Sequence, residues 1–365
     1  MKVGIIGVGD IRHMTMISFF TEIFNKNNIN HEIICINRYN GKQNFFQCPI
    51  FEFQAPNLQD KSKIRKFRSF IAFRKYAIKL VKDRQYDFLI IWNENTALLF
   101  ADFLIQYYTK RYCICIRDLT FKRRGPISRI REAAIRDSAF STLVAPIAFD
   151  YPKGYSYYPM ISENRQIIQK CCVRKQFTSK ARPIRISYIG NVRFYKNDFE
   201  IIQLFANDNR FVIQFFGHGA YRYKKWIEKY NIKNIILEDV FLPDETPKYL
   251  EKTDILNCYY GHTIPYWKYY LPIKFGYAAP LRIPAIVSSG SLLGSLAEEY
   301  QFSFKISSID SCVADDLWNW YHTMSFSQFE IRCKKYTEYV AHTNKKLETK
   351  IMSTLDECNY KIEGK

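Results

Sequence analysis

The chain has 365 residues, which suits two α/β domains and exceeds one ordinary core. Hydrophobic residues make up 47%, so packed interiors are expected, yet no run of about 18 uncharged apolar residues predicts a membrane span. The formal net charge of +19 favours an anionic partner (nucleic acid, an anionic membrane or a phosphorylated substrate), and ten scattered cysteines without CxxC spacing favour reduced cytoplasmic thiols over a disulfide framework.

The first half alternates short apolar runs with helical patterns. Residues 2–8 (KVGIIGV) are predicted as a buried strand rather than a signal peptide, because Asp10 and Arg12 follow at once. A helix pattern over 13–26 and a strand over 32–36 complete a βαβ unit. Further strands are predicted at 87–92, 112–116 and 142–145. Strands this apolar are buried on both faces, which indicates a parallel sheet.

Residues 60–84 form a strongly basic helix candidate. A wide apolar arc runs along it, and most of its lysines and arginines lie on or beside the opposite face. Two interpretations are open: the helix packs on a core and exposes a solvated basic face, or it lies at an anionic membrane surface.

The pattern restarts after a polar, basic stretch over 161–183. Strands are predicted at 184–189, 210–216, 235–238, 254–257 and 283–287. Helices are predicted between them at 198–206, 221–230, 246–252, 272–280 and 292–299. The predicted organisation is an N-terminal Rossmann-like acceptor domain (1–165), a linker (166–183), a C-terminal Rossmann-like domain (184–310) and a helical tail (311–365).

The motif Gly7-Val8-Gly9 lies between the first strand and the first helix. Glycines there let a backbone approach a ligand, and a helix N-terminus favours an anion. As a dinucleotide fingerprint the motif is incomplete, because its third glycine would fall at Arg12 and the second strand ends without an acidic residue for an NAD ribose. An NADP-dependent oxidoreductase therefore stays open as an alternative, beside a plain tight turn and a loop that faces an interdomain cleft.

Four segments of the second half together carry a resemblance. The first is a strand and glycine loop with an arginine and a lysine, and the second is a strand ending in a short glycine motif. The third runs loop, helix and Asp-led strand, and the fourth holds Pro-x-Lys and Tyr-x-Ala. The segments are ISYIGNVRFYKN (186–197), VIQFFGHGAY (212–221), VFLPDETPKYLEKTDILNCYY (240–260) and LPIKFGYAAPLRIPAIVSSGS (271–291). In this order they resemble the donor-binding half of the GT-B glycosyltransferases, near glycosyltransferase family 4.

The resemblance implies an α/β protein with two Rossmann-like doubly wound domains facing a central cleft. It implies transfer of a sugar from a nucleotide-sugar donor, such as a UDP- or GDP-sugar, to a polysaccharide or lipid-linked glycan. It also implies no metal, no separate cofactor and retention of anomeric configuration, with fixed cations stabilising the departing diphosphate. The implied donor-binding residues are Gly190, Arg193, Lys196, Gly217, His218, Lys274, Ser288, Ser289 and Gly290. Four of these features also have a plain interpretation: Lys196 as a loop lysine, Lys274 as a solvated helix lysine, His218 as a surface turn residue, and Ser288–Gly290 as a connecting turn.

The sequence departs from the family pattern at two positions. The usual arginine directly after the glycine is Asn191, and Arg193 would substitute for it. The glutamate that contacts the donor ribose falls at Gly276. Lys274 remains at the same helix start, where a cation and helix amides would share a phosphate. The missing glutamate keeps open an inactive GT-B relative that acts as a partner subunit.

In the first half, the apolar run 113–120 ends at Arg117-Asp118. The family has a His-Asp or similar pair there, facing the acceptor. Asp118 is the candidate catalytic residue, because a carboxylate can orient or deprotonate an acceptor hydroxyl. Its alternative role is a cap, or a pair with a neighbouring arginine. The residues expected to line the acceptor cleft are Gly7, Gly9, Arg12 and Arg117.

A basic patch over 122–131 follows, and it suits a pyrophosphate-linked lipid or a membrane surface. With helix 60–84 it predicts peripheral association with the inner face of the plasma membrane. A nucleic-acid-binding protein is a further alternative, but no helix-turn-helix, finger or RNP pattern is present, so no nucleic acid is expected. Richness in Ile, Asn, Lys and Tyr favours a bacterial gene cluster for capsule or lipopolysaccharide.

Overall fold

The computed structural model describes residues 1–14, 16–39, 46–58, 61–117, 125–144, 154–193, 195–262 and 269–363. The chain divides into two compact units, of which the first comprises Met1–Ile161 with Thr343–Lys365 and the second Ser162–His342. Each unit is built on a parallel sheet with helices between its strands. The predicted α/β class with two doubly wound domains is therefore confirmed.

The sheet of the first unit has seven parallel strands. They are β1 (Lys2–Gly7), β2 (Asn30–Asn37), β3 (Ile50–Gln54), β4 (Phe88–Trp92), β5 (Tyr112–Ile116), β6 (Phe140–Leu143) and β7 (Tyr157–Pro159). Their spatial order is β3-β2-β1-β4-β5-β6-β7, so the chain changes direction across the sheet between β1 and β4. In open α/β sheets, ligands bind at the carboxyl ends of the strands at such a switch point.

Helices cover both faces of this sheet. They include α1 (Ile17–Lys26), α2 (Lys63–Arg84), α3 (Glu94–Tyr107), α4 (Pro126–Asp137) and the last part of the long α12 (Phe326–Glu363). Successive strand residues point to opposite faces. Ile5 packs into a core with α1 and α12, whereas Ile6 packs into a core with α2, α3 and α4. Double-sided burial explains why the strands are apolar throughout.

The basic helix α2 begins and ends at recognisable caps. Ser62 accepts a hydrogen bond from the Arg65 amide at the start, and Gln85 adopts the left-handed conformation at the end. Its second half packs on the core through Phe73, Ala77 and Val81. The core-packing interpretation therefore holds for that half of the helix.

The sheet of the second unit has six parallel strands. They are β8 (Ile184–Ile189), β9 (Phe211–Phe216), β10 (Ile235–Glu238), β11 (Ile255–Cys258), β12 (Ala285–Ser288) and β13 (Ser303–Ile306). Their order is β10-β9-β8-β11-β12-β13, which places the switch point between β8 and β11. A second ligand crevice is expected there.

The helices of the second unit are mostly short. They include α5 (Arg165–Gln169), α6 (Tyr195–Phe205), α7 (Lys224–Lys229), α8 (Thr246–Glu251), α9 (Ala278–Leu281), α10 (Leu292–Tyr300), α11 (Cys312–Thr323) and the first part of α12. Ile186 of β8 and Ile213 of β9 share one core with Phe205 of α6 and with Leu317 and Tyr321 of α11.

The sequence did not predict β3, β7 and β13, which are all edge strands. Each has three to five residues and is only partly buried. An edge strand has one neighbour and faces solvent, so its sequence lacks the continuous apolar run of a central strand. The helix predicted over 272–280 is instead a 3₁₀ segment, Ile273–Tyr277, followed by α9.

The segments predicted as a linker and a tail have other places in the fold. The stretch 166–183 lies inside the second unit, where the Phe177 ring packs against Tyr321 and Phe329. The tail is helical, but it divides between the units. Its end packs on the first sheet through Leu347 and Ile351 because the apolar face of α12 continues past residue 343.

All ten cysteines lie in described segments, and all are unpaired. In the described part of the chain, every helix is too short or too polar to cross a membrane.

Asn344 on α12 is predicted to be important for the stability of the first unit. Its buried amide donates to the Ile161 carbonyl (3.1 Å) and accepts from the Ile161 amide (3.0 Å). Asn344→Ala leaves both buried peptide groups without partners, so we expect unfolding to require about 2–4 kcal/mol less free energy in urea titrations followed by circular dichroism. Lys346→Ala, an exposed change on the same helix, should shift it by less than about 0.5 kcal/mol. Equal midpoints for the two variants would refute the assignment.

Candidate functional site

The carboxyl edge of the second sheet collects most of the predicted donor-binding residues. The loops after β8, β9 and β12 carry Gly190, Gly217 and Ser289 respectively, and Lys196 follows on the first turn of α6. Because parallel strands end at one edge, residues distant in sequence are neighbours there.

Two of these glycines are in backbone contact. Gly217 has a φ of +133°, and a Cβ on it would lie 2.0 Å from the carbonyl oxygen of Gly190. The next residues continue the contact, because the Val192 amide donates to the His218 carbonyl (2.9 Å). Only glycine fits at 217, so the loops after β8 and β9 are held together by their main chains.

Arg193 and Lys196 are the exposed cations of this edge. With its amide oriented to suit its neighbours, Asn191 accepts two hydrogen bonds from the Arg193 guanidinium (3.0 Å each). Lys196 lies where the dipole of α6 is positive. Among the described residues, no carboxylate lies within ion-pair distance of either side chain. Both cations are thus available to an anion.

His218 and Gly219 follow in the loop after β9. The His218 side chain is exposed. The Gly219 amide donates to Asp239 (2.6 Å), which fixes the loop. The His218 side chain is accessible to solvent, and none of its contacts with described residues fixes its role.

The turn after β12 differs in part from expectation. The Ser288 hydroxyl is buried and accepts from the Tyr260 amide (3.0 Å), while the Ser289 amide donates to the Ile306 carbonyl (3.0 Å). Sheet pairing therefore uses the Ser289 amide that the resemblance assigns to the donor. Gly290 has a φ of +66° and open space around it, just before the Ser291 cap of α10.

Lys274 differs most from expectation, because its amine is buried. Its side chain is only 6% exposed, and its Nζ lies 3.1 Å from the ring centroid of Tyr188 and 5.1 Å from that of Tyr260. No described residue accepts a hydrogen bond from it. Burial lowers the pKa of Lys274 to about 8. Lys274 therefore makes a cation–π contact inside the unit and is not a surface lysine at the start of a helix.

Asp198 is the acidic neighbour of that amine. Its carboxylate accepts from the Tyr223 hydroxyl (2.6 Å) and is buried in α6. Burial raises the pKa of Asp198 to about 6, opposed by the Tyr223 hydrogen bond and the charge of Lys274. The sequence did not predict a role for this acid, since its only signal is its position two residues after Lys196.

The backbone at Gly276 explains the missing glutamate. A Cβ there would lie 2.2 Å from the carbonyl oxygen of Ser162. Any side chain would have to displace the main chain of the segment after β7, so a glutamate does not fit. The absence of the glutamate expected from the resemblance therefore follows from the main-chain packing of the second unit.

In the first unit, the switch point between β1 and β4 holds the predicted acceptor residues Gly7 and Gly9. A Cβ on Gly7 would lie 2.5 Å from Met14, whereas Gly9 has room. Asp10 is fully buried and accepts from the amides of Arg12 (3.0 Å) and Arg38 (2.9 Å). These bonds fix the loops after β1 and β2, and the sequence analysis gave Asp10 no role.

The remaining residues predicted to line the acceptor cleft, Arg12 and Arg117, lie in described segments, whereas the candidate catalytic residue does not. Arg12 stacks on the Tyr39 ring (4.5 Å), and Arg117 stacks on the Trp92 ring (5.1 Å). The candidate catalytic residue, Asp118, lies outside the described residues, as does the 122–124 part of the basic patch. The catalytic role of Asp118 stays a prediction.

A cavity of about 710 Å³ opens at this switch point. Gly9 lies in its wall with Arg38, while Arg74 is held by Asp102, whose two carboxylate oxygens both accept from the Arg74 Nη2 (2.7 and 2.6 Å). The apolar part of the wall comes from Phe67, Phe70, Ile71, Leu98, Leu99 and Ile127. This size suits a small-molecule site, and most of its surface is apolar.

Large apolar side chains stay exposed around the cavity. On α2, Ile64 and Phe67 are 68% and 64% exposed, and on α4, Ile127 and Ile130 are 58% and 45% exposed. Exposed lysines and arginines flank them on both helices. Apolar groups interspersed with cations are typical of a surface that meets an anionic bilayer.

The described residues contain no group of three or more His, Cys, Asp or Glu side chains that could hold a metal ion. The prediction of a metal-independent reaction rests on the sequence resemblance and stays a prediction.

Solved structures share this architecture at low sequence identity. A sucrose-phosphate synthase from Thermosynechococcus elongatus matches with a TM-score of 0.74 at 10% identity over 99% of each chain. HepE from Anabaena, solved with UDP-glucose, matches with a TM-score of 0.65 at 10% identity, over 97% of this chain and 100% of that one. A UDP-GlcNAc 2-epimerase from Methanocaldococcus jannaschii matches with 0.55 at 12%, over 94% and 100%.

The chain therefore has the GT-B fold. At these identities the likeness shows the fold alone, and the three names already cover different activities. No protein-family model and no curated protein sequence matches the chain.

Lys274→Met is predicted to change stability in a pH-dependent way. The pKa of about 8 in the folded protein lies below the ordinary 10.5, so between these pH values the unfolded chain holds a proton that the folded protein has lost. The stability contribution of Lys274 therefore rises with pH across that window. In urea unfolding, the free energy of unfolding of Lys274→Met relative to that of the parent should be about 2–3 kcal/mol higher at pH 7.5 than at pH 10.

The exposed Lys196→Met is the matched control, and its difference from the parent should not change between the two pH values. If the difference in unfolding free energy between Lys274→Met and the parent is also the same at both pH values, the amine is not buried as described.

Proposed function

We propose that the chain is a glycosyltransferase of the hexosyltransferase type. It moves a sugar from a nucleoside-diphosphate donor, such as a UDP- or GDP-sugar, to a hydroxyl of a polysaccharide or lipid-linked glycan. The observation that supports this best is the pair of unneutralised cations, Arg193 and Lys196, beside the Gly190–Gly217 contact at a switch-point edge. The same fold in a protein solved with UDP-glucose adds support.

The chemistry needs positive charge at one place. When the bond between the anomeric carbon and the diphosphate oxygen breaks, negative charge grows on the leaving diphosphate. Arg193, Lys196 and the N-terminal amides of α6 supply fixed positive charge, so we propose a reaction that uses neither metal nor separate cofactor. The acceptor hydroxyl forms the new bond and gives its proton to a carboxylate, for which Asp118 is the candidate. Retention of configuration is proposed from the resemblance alone.

Other activities remain as rivals with distinct readouts. A nucleotide-sugar epimerase has support from the shared fold, and it would convert the donor without any acceptor. An NADP-dependent oxidoreductase would bind NADPH and not UDP or GDP. An inactive partner subunit, which Gly276 suggests, would bind a nucleotide without turnover. A thermal-shift screen with UDP, GDP, CMP, dTDP and NADPH, followed by product analysis, separates these cases.

We also propose that the first unit rests on an anionic membrane at the inner face of the plasma membrane. The apolar patch formed by Ile64, Phe67, Ile127 and Ile130 supports this, together with the basic charge of α2. The mostly apolar cavity beside the patch favours a lipid-linked acceptor over a free polysaccharide. A bacterial capsule or lipopolysaccharide pathway is the proposed setting.

Replacing the two exposed cations is predicted to impair donor use. Arg193→Ala and Lys196→Ala should each lower kcat/KM for the donor by about 10- to 100-fold and weaken UDP binding, because each removes a charge from the leaving diphosphate. Lys224→Ala, an exposed lysine on α7, is the matched control and should behave like the parent. If both variants keep turnover and UDP affinity within a factor of two or three, the donor site lies elsewhere.

The apolar patch is predicted to carry membrane binding. The double variant Phe67→Asp/Ile127→Asp should bind vesicles of phosphatidylcholine with 30% phosphatidylglycerol at least tenfold more weakly in a flotation assay. Two apolar side chains that would enter the bilayer become charged in this variant. Ile331→Asp changes a comparably exposed residue of the second unit and should have no effect. Vesicle binding that survives the double variant would place the membrane surface elsewhere.

A further inference from the structure

A second cavity lies at the amino-terminal edge of the sheet in the second unit. Its volume is about 420 Å³, and Arg174, Thr178, Arg182, Arg185 and Glu251 are among its lining residues. This edge is where β8, β11 and β12 begin. Since β8 has six residues at about 3.3 Å each, the cavity is roughly 15–20 Å from the candidate donor edge.

Three arginines of the cavity share one buried carboxylate, that of Asp254. Arg174 contacts it at 3.1 Å, Arg182 at 3.1 Å and Arg185 at 2.9 Å. The Thr178 hydroxyl and the Arg185 amide also donate to it, at 2.6 and 2.9 Å. A carboxylate offers about four acceptor sites, so this one is saturated. These donors keep the pKa of Asp254 far below its usual range despite burial, so it stays charged.

The arginines retain donors and charge beyond what Asp254 uses. Nε and Nη2 of Arg174, Nε of Arg182 and Nη1 of Arg185 donate to no described residue. The three guanidinium groups carry three positive charges, against one negative charge each on Asp254 and on the lining residue Glu251, which leaves a surplus of one positive charge. The exposed Lys175 and Lys180 of the same segment add to it.

A purely structural tether would not require this surplus. One arginine would neutralise Asp254, and a cavity would be superfluous. Guanidinium forks match the oxygens of a phosphate group, and their hydrogen bonds to an anion are charge-assisted. The Thr178 hydroxyl accepts from Arg182 (3.0 Å), which helps to fix one fork at the wall.

We propose that this cavity is a binding site for a phosphate group, separate from the donor edge. Arg174, Arg182 and Arg185 hold the phosphate group, and the volume leaves room for a small attached group such as a sugar. The site does not depend on the chain being a glycosyltransferase. The source of the phosphate, as the free ion or as a sugar phosphate, is distinguished by the arms of the test.

Isothermal titration with inorganic phosphate and with glucose 6-phosphate tests the site, with glucose and sodium chloride of equal ionic strength as blanks. Both phosphates should bind saturably at one site and both blanks should not. Tighter binding of glucose 6-phosphate identifies the ester as the better ligand, and equal binding identifies the free ion.

Arg182→Gln, at a side chain that is 47% exposed and shares Asp254 with two other arginines, should weaken binding about tenfold. Arg182→Lys should fall between, and Lys224→Ala, at an exposed lysine of α7 that does not line the cavity, should match the parent.

A second measurement needs no variant. Cys172 lines the cavity and is exposed, while the exposed Cys312 lies outside it on α11. Phosphate should slow alkylation of Cys172 by iodoacetamide, mapped by mass spectrometry, and leave Cys312 unchanged. The proposal fails if binding does not saturate, if sodium chloride reproduces it, if Lys196→Ala rather than Arg182→Gln weakens it, or if Cys172 gains no protection.

Discussion

The contact between Gly217 and the Gly190 carbonyl is the constraint on which the candidate donor site depends. Any side chain at 217 would force the loops after β8 and β9 apart, since a Cβ would lie 2.0 Å from that oxygen. With glycine, the main chains run together, and the Val192–His218 hydrogen bond can form. The loop after β8 therefore leads directly into α6, with Arg193 exposed in the loop and Lys196 on the first helical turn. Gly190 itself has open space around it, so its glycine is required for its φ of +121° and not for close approach.

A second backbone contact determines how the site differs from the family it resembles. The Ser162 carbonyl occupies the space that a side chain at Gly276 would need. Two residues earlier, Lys274 turns inward and its amine lies over the Tyr188 ring. One short 3₁₀ segment thus lacks both a ribose-binding carboxylate and an exposed cation. In the proposed reaction the charge on the diphosphate is therefore countered from the β8–α6 side, by Arg193 and Lys196.

The sequence predicted the central strands best, because strands buried on both faces are continuous apolar runs. The predicted bounds of 112–116 and 184–189 match those of the central strands β5 and β8, and the edge strand β10 was also predicted because its four residues include three consecutive apolar ones. Edge strands such as β3 were missed, since their half-buried residues give no such run.

Lys274 could be located in the sequence, but its burial could not be predicted, because it depends on rings that come from β8 and from the loop after β11. The same is true of Gly276, whose partner Ser162 lies over a hundred residues away. The Arg174–Asp254 cluster was likewise out of reach, because the basic stretch 161–183 has the composition of a solvated linker.

The fold leaves the chemistry open, since a synthase and an epimerase share it, so function depends on the placement of charge. A net charge of +19 would favour any anion equally if it were spread evenly. It is not spread evenly. On α2 the cations flank exposed apolar side chains, which suits a bilayer surface. At the carboxyl edge of the second sheet, Arg193 and Lys196 have no carboxylate partner among the described residues, which suits a diphosphate whose charge grows during reaction. At the amino edge, three arginines are held rigid by Asp254, which suits a small anion that binds without reacting. In these proposals the same net charge serves three separate kinds of anion recognition, and its local partners determine which kind each surface would provide.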